Sequence, residues 1–282
     1  LSRWAEAIAE IRARGLRLVE AKGERAHFVP ISSDPAAAAP ADLVLVLVKS
    51  YDTTHAAEWA AAALAPAGLA LTLQNGLGNA EILATTIGPQ RTVQGVTSEG
   101  ATLLGPGRVR HAGSGVTSIG TKPELAARLE EIAALFRLAG FATSLSDQVD
   151  PLVWGKLVIS AGINPLTALL DVPNGRLVED DAARAALHLA VGEAAAIAGK
   201  VGIPLPYPDA RARAEEVCRA TAANLSSMLQ DVRRGSRTEI DAINGALVGV
   251  AESAGLAAPV NRLLWHLVRA RGGEVDPLRH DG

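Results

Sequence analysis

The run DLVLVLVK, residues 42–49, places six uninterrupted leucine and valine side chains between an aspartate and a lysine. A continuous apolar run of this length is typical of a strand that is buried on both faces of a parallel sheet. A helix is predicted to follow over residues 53–64, and a second buried strand over residues 69–73. The first half of the chain is therefore predicted to form an α/β domain on a Rossmann-like parallel sheet. Its other predicted elements are strands at 92–97, 108–111, 116–120 and 142–145 and a helix at 123–138.

Polar residues stand where the two buried strands end. Lys49 closes the first strand, and the second runs into QNGLG, residues 74–78. Glycines directly after a strand allow a ligand to approach the backbone closely, and ligands of open α/β sheets bind outside the carboxyl ends of the strands. Lys49 and Asn75 are therefore predicted to border a ligand site.

The pattern becomes almost purely helical after about residue 147. Helical periodicity covers 150–170, 179–201, 208–224, 226–233, 238–254 and 259–271, with breaks at PNG (173–175), PLP (204–206) and Gly235. The sequence thus predicts two domains, a Rossmann-like one over 1–147 and an all-α one over 148–282, with a cleft between them.

A polar stripe marks one helix of the second domain. In WGKLVISAGINPLTALLDV, residues 154–172, Lys156 is followed at steps of four by Ser160 and Asn164. Residues four apart lie on one helix face. A buried unpaired ammonium or amide is costly, so this stripe is predicted to line a site.

Two helix starts carry further candidate chemistry. In SSMLQD, residues 226–231, Ser227 and Gln230 have the spacing of a capping box, and the free N–H groups of a helix start attract anions such as a carboxylate. In TEID, residues 238–241, Glu239 lies in a first turn, where the helix dipole favours an acid.

Composition excludes several functional classes. With 282 residues and a net charge of −3, the chain has no bulk attraction to nucleic acid, and no run reaches the length of about 18 uncharged apolar residues that a membrane span needs. The six histidines show no metal-ligand spacing, and the single cysteine, Cys218, is interpreted as structural or incidental. These features favour a cytoplasmic protein without nucleic-acid or membrane partners.

The chain begins with Leu1, and residues 1–14 are interpreted as a strand end that leads into an amphipathic helix. We therefore expect a segment upstream of Leu1, and this start does not have the pattern of a signal peptide.

Several separated motifs together resemble the ketopantoate reductase (2-dehydropantoate 2-reductase) family over nearly the whole chain. They are Lys156 with NPLTA at 164–168, PNG at 173–175, SSMLQD at 226–231 and TEIDAING at 238–245. Lys49, QNGLG at 74–78 and the segment 113–120 agree in the first half.

The resemblance implies NADPH-dependent reduction of 2-dehydropantoate to pantoate, on the route to pantothenate and coenzyme A. It makes Lys156 the general acid and Glu239 the residue that binds the substrate hydroxyl. It also implies substrate contacts from Asn75, Ser160, Asn164 and Asn174, and a carboxylate site at Ser227, Met228, Leu229 and Gln230. Ser160 departs from the asparagine usual in the family, which implies a shorter contact or one through water.

The residues that the family uses to bind the cofactor are matched less completely in this sequence. The family begins with a strand and a G-x-G-x-x-G turn that binds the pyrophosphate, and this unit is absent from the sequence, so the chain as given is expected not to turn over. Arg3 matches the arginine that pairs with the 2′-phosphate, which favours NADP(H) over NAD. Lys49, Asn75 and Ala101 match the remaining cofactor contacts. The expected partner is a small 2-oxo acid, and a homodimer is the assembly to test.

Simpler interpretations of the same residues stay open. Lys156 could extend to solvent from a helix edge, Glu239 could serve the helix dipole alone, and Ser227 could be a plain N-cap. Asn174 could be a turn residue, and Arg3 could be a solvated surface charge. Two other functions also remain open: reduction of a different 2-oxo acid, and NADP sensing without turnover.

Overall fold

A computed structural model describes residues 1–272 and shows two sheets followed by a helical domain. The strands are β1 Leu16–Glu20, β2 Gly23–His27, β3 Ala41–Val46, β4 Leu64–Thr72, β5 Thr92–Thr97, β6 Gly100–Gly105, β7 Arg108–Gly113, β8 Val116–Gly120 and β9 Ala142–Ser146. The helices are α1 Ala5–Arg14, α2 Thr53–Ala63, α3 Asn79–Ile87, α4 Ala126–Leu138, α5 Val149–Leu170, α6 Arg176–Glu179, α7 Asp181–Lys200, α8 Ala210–Ala220, α9 Ser227–Arg233, α10 Ala246–Ser253 and α11 Pro259–Gly272. A π-helical turn, Asp241–Gly245, precedes α10.

The larger sheet has the order β3-β4-β5-β8-β9. Its strands are parallel except that β5 and β8 run antiparallel, so the sheet is mixed. The predicted class, an α/β Rossmann-like domain followed by an all-α domain, is confirmed, and within the larger sheet this antiparallel pair is the one departure from a purely parallel order.

The observed burial of the run at 42–49 differs from the prediction. β3 pairs with β4 on one side and forms the edge of this sheet, and Leu45 and Leu47 are 41% and 61% exposed. The strand is therefore not buried on both faces in the described residues, because burial depends on the neighbours that a strand acquires and not on its own composition.

A second, four-stranded sheet with the order β2-β1-β7-β6 was not predicted as such; only part of β7 was. β1 and β2, LRLVE and GERAH, mix charged and apolar residues, and every residue of β2 is exposed. A strand of that kind has no apolar run to reveal it. The helix expected near the N-terminus is α1, but the predicted strand end at Leu1–Arg3 is wrong: this segment is not in a strand, and Ser2 N donates to Ser32 O at 3.0 Å.

The helical domain is built around α5. Thirteen of the 22 residues of this helix are buried, and it packs against α7, α8, α9 and α11. Its length and apolar composition would allow it to cross a membrane, but 72% of the relevant window is buried inside the protein. It is therefore the central core helix of this domain, in contact with the sheet at β5. Residues 273–282 of the predicted second domain lie outside the described residues.

A proline within α5 is accommodated by the neighbouring chain. Pro165 has no N–H to donate, which leaves the carbonyl of Ala161 without its usual helical partner. Asn244 Nδ2 donates to Ala161 O at 2.9 Å and so satisfies this buried group. This bond joins α5 to the π-helical turn beside Glu239.

Candidate active site between the sheet and the helical domain

Lys156 extends from α5 to the end of β5. Its Nζ donates to the carbonyl oxygen of Thr97, the last residue of that strand, at 2.6 Å. Burial lowers the pKa of Lys156 from 10.5 to about 8, although the nearby negative charge of Glu239 opposes part of this change. The lysine therefore faces the cleft and is close to the range where it can release a proton at neutral pH.

Three predicted site residues share one small cavity. Asn75, Lys156 and Ser160 line it, together with Gln74, Gly76, Val96, Val153 and Leu157. Its volume of about 10 Å³ holds roughly one water molecule. A larger ligand would therefore require the surrounding elements to move apart.

The turn that carries Asn75 is pressed against the helical domain. Leu77 N donates to Ala242 O at 3.0 Å, across the cleft. Gly76 has φ +86, and a Cβ built there would lie 2.5 Å from the same carbonyl oxygen. A side chain at this position would be both strained and obstructed, so glycine is required for the approach.

Glu239 is 6% exposed and does not line the cavity that Lys156 shares with Asn75 and Ser160. Its Oε1 accepts a hydrogen bond from Ser50 N at 3.0 Å, and its Oε2 lies 3.6 Å from Lys49 Nζ. Glu239 lines a larger cavity of about 220 Å³, with Tyr51 and Arg237 among its neighbours. The carboxylate is thus oriented by the loop after β3 and faces open space.

Lys49 makes its shortest contact with a residue that the sequence analysis did not select. Its Nζ donates to Asp231 Oδ2 at 2.6 Å, and the side chain of Asp231 is only 3% exposed. The pair joins residues 182 positions apart. No local pattern in the sequence could have indicated it.

The start of α9 corrects one prediction. The helix is capped by Ser226, whose Oγ accepts from Leu229 N at 3.1 Å, and not by the predicted box of Ser227 and Gln230. Thr167 donates to the same Ser226 oxygen at 2.7 Å, which fixes this serine against α5. Gln230 Nε2 instead donates to Leu225 O at 3.0 Å. The first serine caps because contact with α5 selects it, which spacing alone cannot show.

The remaining substrate candidates differ in how far their side chains are exposed. The side chains of Met228 and Leu229 are buried in the protein interior, at 1% and 0% exposure, while Ser227 is partly exposed. Asn164 is partly exposed on α5, and Asn174 is 8% exposed and donates to Thr221 Oγ1 at 2.9 Å. The structure therefore does not bring the side chains of Met228 and Leu229 to the cleft.

Two cofactor candidates line neither of these cavities. Arg3 is exposed and forms an ion pair with Asp52 at 2.7 Å, just before α2. Ala101 is exposed on β6, where it pairs with His111 of the smaller sheet. These two positions are not brought together with Asn75 in either cavity.

Both halves of the chain match models of known families. Residues 1–124 match Ketopantoate reductase PanE/ApbA, and residues 148–272 match Ketopantoate reductase PanE/ApbA C terminal. A 2-dehydropantoate 2-reductase from Halobacterium salinarum is 40% identical over 271 residues, which cover 95% of this chain and 89% of the relative. The chain belongs to the ketopantoate reductase family.

Solved structures agree with this assignment to the ketopantoate reductase family. A PanE/ApbA family ketopantoate reductase from Ralstonia eutropha JMP134 superposes with a TM-score of 0.86 at 36% identity, covering 95% of this chain and 88% of that one. A D-mandelate dehydrogenase solved with NADH and anilino(oxo)acetate superposes with a TM-score of 0.90 at 26% identity and the same coverage. The family resemblance inferred from the motifs is confirmed.

The groups around Lys156 fit the nicotinamide end of a dinucleotide. The amide of Asn75, the hydroxyl of Ser160 and the ammonium of Lys156 supply donors and acceptors at one point.

Proposed function

We propose that this chain is an NADP-dependent oxidoreductase that reduces 2-dehydropantoate to pantoate. The observation that carries the proposal is Lys156, a buried lysine with a pKa lowered to about 8 that shares a cavity with Asn75 and Ser160. The names of the relatives support the same reaction. Pantoate formation places the chain in the biosynthesis of pantothenate and coenzyme A.

A reduced nicotinamide supplies the hydride when it is bound. The contribution of Lys156 is a proton: negative charge develops on the substrate oxygen as the carbonyl is reduced, and the ammonium can neutralise it. The hydrogen bond to Thr97 O holds the ammonium at the strand end before substrate arrives. A donor fixed in advance costs little reorganisation during the reaction.

Glu239 is assigned to substrate binding. The bond from Ser50 N fixes one carboxylate oxygen, and the other is available to accept from a substrate hydroxyl. Asn164, Asn174, Ser227 and Gln230 are proposed to contact the rest of the substrate. Met228 would do so through its backbone N–H, since its side chain is buried. The proposed contact from Leu229 is not supported, because its side chain is buried and its N–H already donates to Ser226 Oγ.

Lys49, Asn75, Ala101 and Arg3 are proposed cofactor contacts. Arg3 would exchange its exposed partner Asp52 for the adenosine 2′-phosphate, which is why we propose NADPH over NADH.

The test is a steady-state assay of the purified protein with a family-type strand and G-x-G-x-x-G turn joined upstream of Leu1, because residues 1–282 alone are expected not to turn over. With 2-dehydropantoate, absorbance at 340 nm should fall much faster with NADPH than with NADH. Cofactor binding without turnover of any 2-oxo acid would instead support the alternative of an NADP-sensing relative.

A reductase for another 2-oxo acid is the second candidate, because a D-mandelate dehydrogenase shares the fold closely. Competing 2-dehydropantoate against benzoylformate in the same assay separates the two. A higher kcat/KM for benzoylformate would replace the proposed substrate while leaving the reaction type intact.

Three further features are proposed from the sequence pattern and the resemblance to the family. The domain limits are 1–147 and 148–282, the location is the cytoplasm, and the assembly to test is a homodimer. Light scattering on the eluted peak of a sizing column measures the last of these directly.

A further inference from the structure

Asp231, a buried aspartate beside the candidate site, contacts two cations. Its Oδ2 accepts from Lys49 Nζ at 2.6 Å, and its Oδ1 accepts from Arg234 at 2.9 Å. Arg234 is three residues along the chain from Asp231, whereas Lys49 comes from the end of the sheet domain. Asp231 therefore pairs with Arg234 from its own segment and with Lys49 from the other side of the cleft.

Lys49 is shared unequally between two carboxylates. Its Nζ lies 2.6 Å from Asp231 and 3.6 Å from Glu239 Oε2, and both acidic side chains are less than a tenth exposed. The two carboxylates are poorly solvated while the Lys49 side chain is 33% exposed, so the position of the ammonium is decided by which acid offers the better hydrogen bond. In this structure that acid is Asp231.

The second carboxylate oxygen of Glu239, Oε2, is the one that Lys49 could bind. Its Oε1 already accepts from Ser50 N, so Oε2 is the oxygen that faces Lys49. If Asp231 lost its charge, Glu239 would be the remaining carboxylate within reach of Lys49. The ammonium would then form a charge-assisted hydrogen bond with Oε2.

We propose that Asp231 is a positioning residue that holds Lys49 away from Glu239 Oε2, so that this oxygen stays available for a substrate hydroxyl. The inference rests on the proposed function, because it takes the role of Glu239 from there. Asp231 touches neither substrate nor cofactor in this account. It acts only through Lys49.

The experiment compares Asp231→Asn with the wild type, both carrying the strand and glycine-rich turn joined upstream of Leu1, at saturating NADPH. The KM for 2-dehydropantoate should rise about tenfold or more, the effect of losing one charge-assisted hydrogen bond, while kcat stays within about threefold. In a Lys49→Met background the same Asp231→Asn change should alter KM by less than about threefold, because no ammonium remains to occupy Glu239.

Arg234→Met is the matched control. It removes the other cation from the same carboxylate and leaves Lys49 in place, so KM should stay within about threefold of the wild type. Equal KM increases from Asp231→Asn in both backgrounds, or an increase from Arg234→Met as large as that from Asp231→Asn, would overturn the proposal.

Asp231→Glu keeps the test decisive if the asparagine variant does not fold. It retains the charge that binds Lys49, so KM should again stay within about threefold, and a tenfold rise would contradict the proposal. Absence of 2-dehydropantoate turnover by the wild type would instead be a failure of the proposed function. The Tm values of Asp231→Asn, Lys49→Met and the double variant then test only the contact between Asp231 and Lys49. Non-additive changes in Tm support this contact, and additive changes overturn the proposal.

Discussion

At the scale of single residues, Lys156 carries the proposed chemistry, and its lowered pKa makes a direct prediction. The protonated lysine is the proton donor, and burial lowers its pKa in the ligand-free protein to about 8, so kcat/KM should be constant below that pH and fall as pH rises through it. Lys156→Ala should lower kcat by about 10²- to 10⁴-fold and remove this alkaline decline, while NADPH affinity changes only a few fold. A pH–rate series on both proteins measures this, and near-normal kcat in the variant would remove the general-acid assignment.

Glu239→Ala is the comparison for that experiment. Its inferred partner is a substrate hydroxyl that is already present before the reaction, so a larger share of its effect should fall on KM. A Glu239 variant that lost kcat alone, with KM unchanged, would argue against a role in binding the ground state.

Arg3 tests the choice of cofactor at the same scale. In the structure this exposed arginine pairs with Asp52, and the proposed 2′-phosphate would be a second anionic partner. A charge-assisted hydrogen bond contributes about 1.5 to 3 kcal/mol, so Arg3→Ala should weaken NADPH binding about tenfold or more and leave NADH nearly unchanged. Fluorescence titrations with the two cofactors measure the difference, and equal losses for both would exclude this role.

At the scale of elements, the turn after β4 combines strain with a close contact. Gly76 and Gly78 have nearly the same φ, +86 and +88, but only a Cβ at Gly76 would meet another atom within 4 Å, the carbonyl of Ala242 at 2.5 Å. Gly78→Ala should therefore cost about 1 to 2 kcal/mol from φ alone, and Gly76→Ala clearly more, with a loss of kcat as Asn75 is displaced. Urea unfolding and steady-state rates on the pair check this; equal costs would show that the contact with Ala242 is unimportant.

The elements also show how far sequence reasoning reaches. The segments at 92–97 (TVQGVT) and 116–120 (VTSIG) form strands with the predicted bounds, because their valine, isoleucine and threonine side chains fit the half-buried faces of a sheet. The charged strands β1 and β2 gave no such pattern. Within the site, the spacing of Lys156 and Ser160 placed both on one cavity. Asp231 could not be selected, since its role follows from a contact with Lys49 that only the folded chain creates.

At the scale of the whole molecule, the buried apolar side chains are unevenly distributed. One hydrophobic cluster extends through the helical domain around α5 and α7, while the five-stranded sheet has two smaller clusters on its faces. The β1–β2 hairpin lies at the other extreme, with all five residues of β2 exposed. Because local opening is easiest where few apolar side chains are buried, the two regions should differ in stability within one native state.

Hydrogen exchange measures that difference directly. Amides in the centre of α5 exchange only when most of the helical domain unfolds, whereas those that pair β1 with β2 need only the hairpin to open. We expect protection factors at least about 100-fold higher in the centre of α5 than in β2, a gap of roughly 3 kcal/mol in opening free energy. Adding NADPH should increase protection in the turn after β4 and in α5 near Lys156, since a ligand that binds only the folded state opposes opening around its site. Equal protection of α5 and β2 would mean that the molecule opens as one unit, and protection by NADPH confined to regions away from Lys156 would place the cofactor elsewhere.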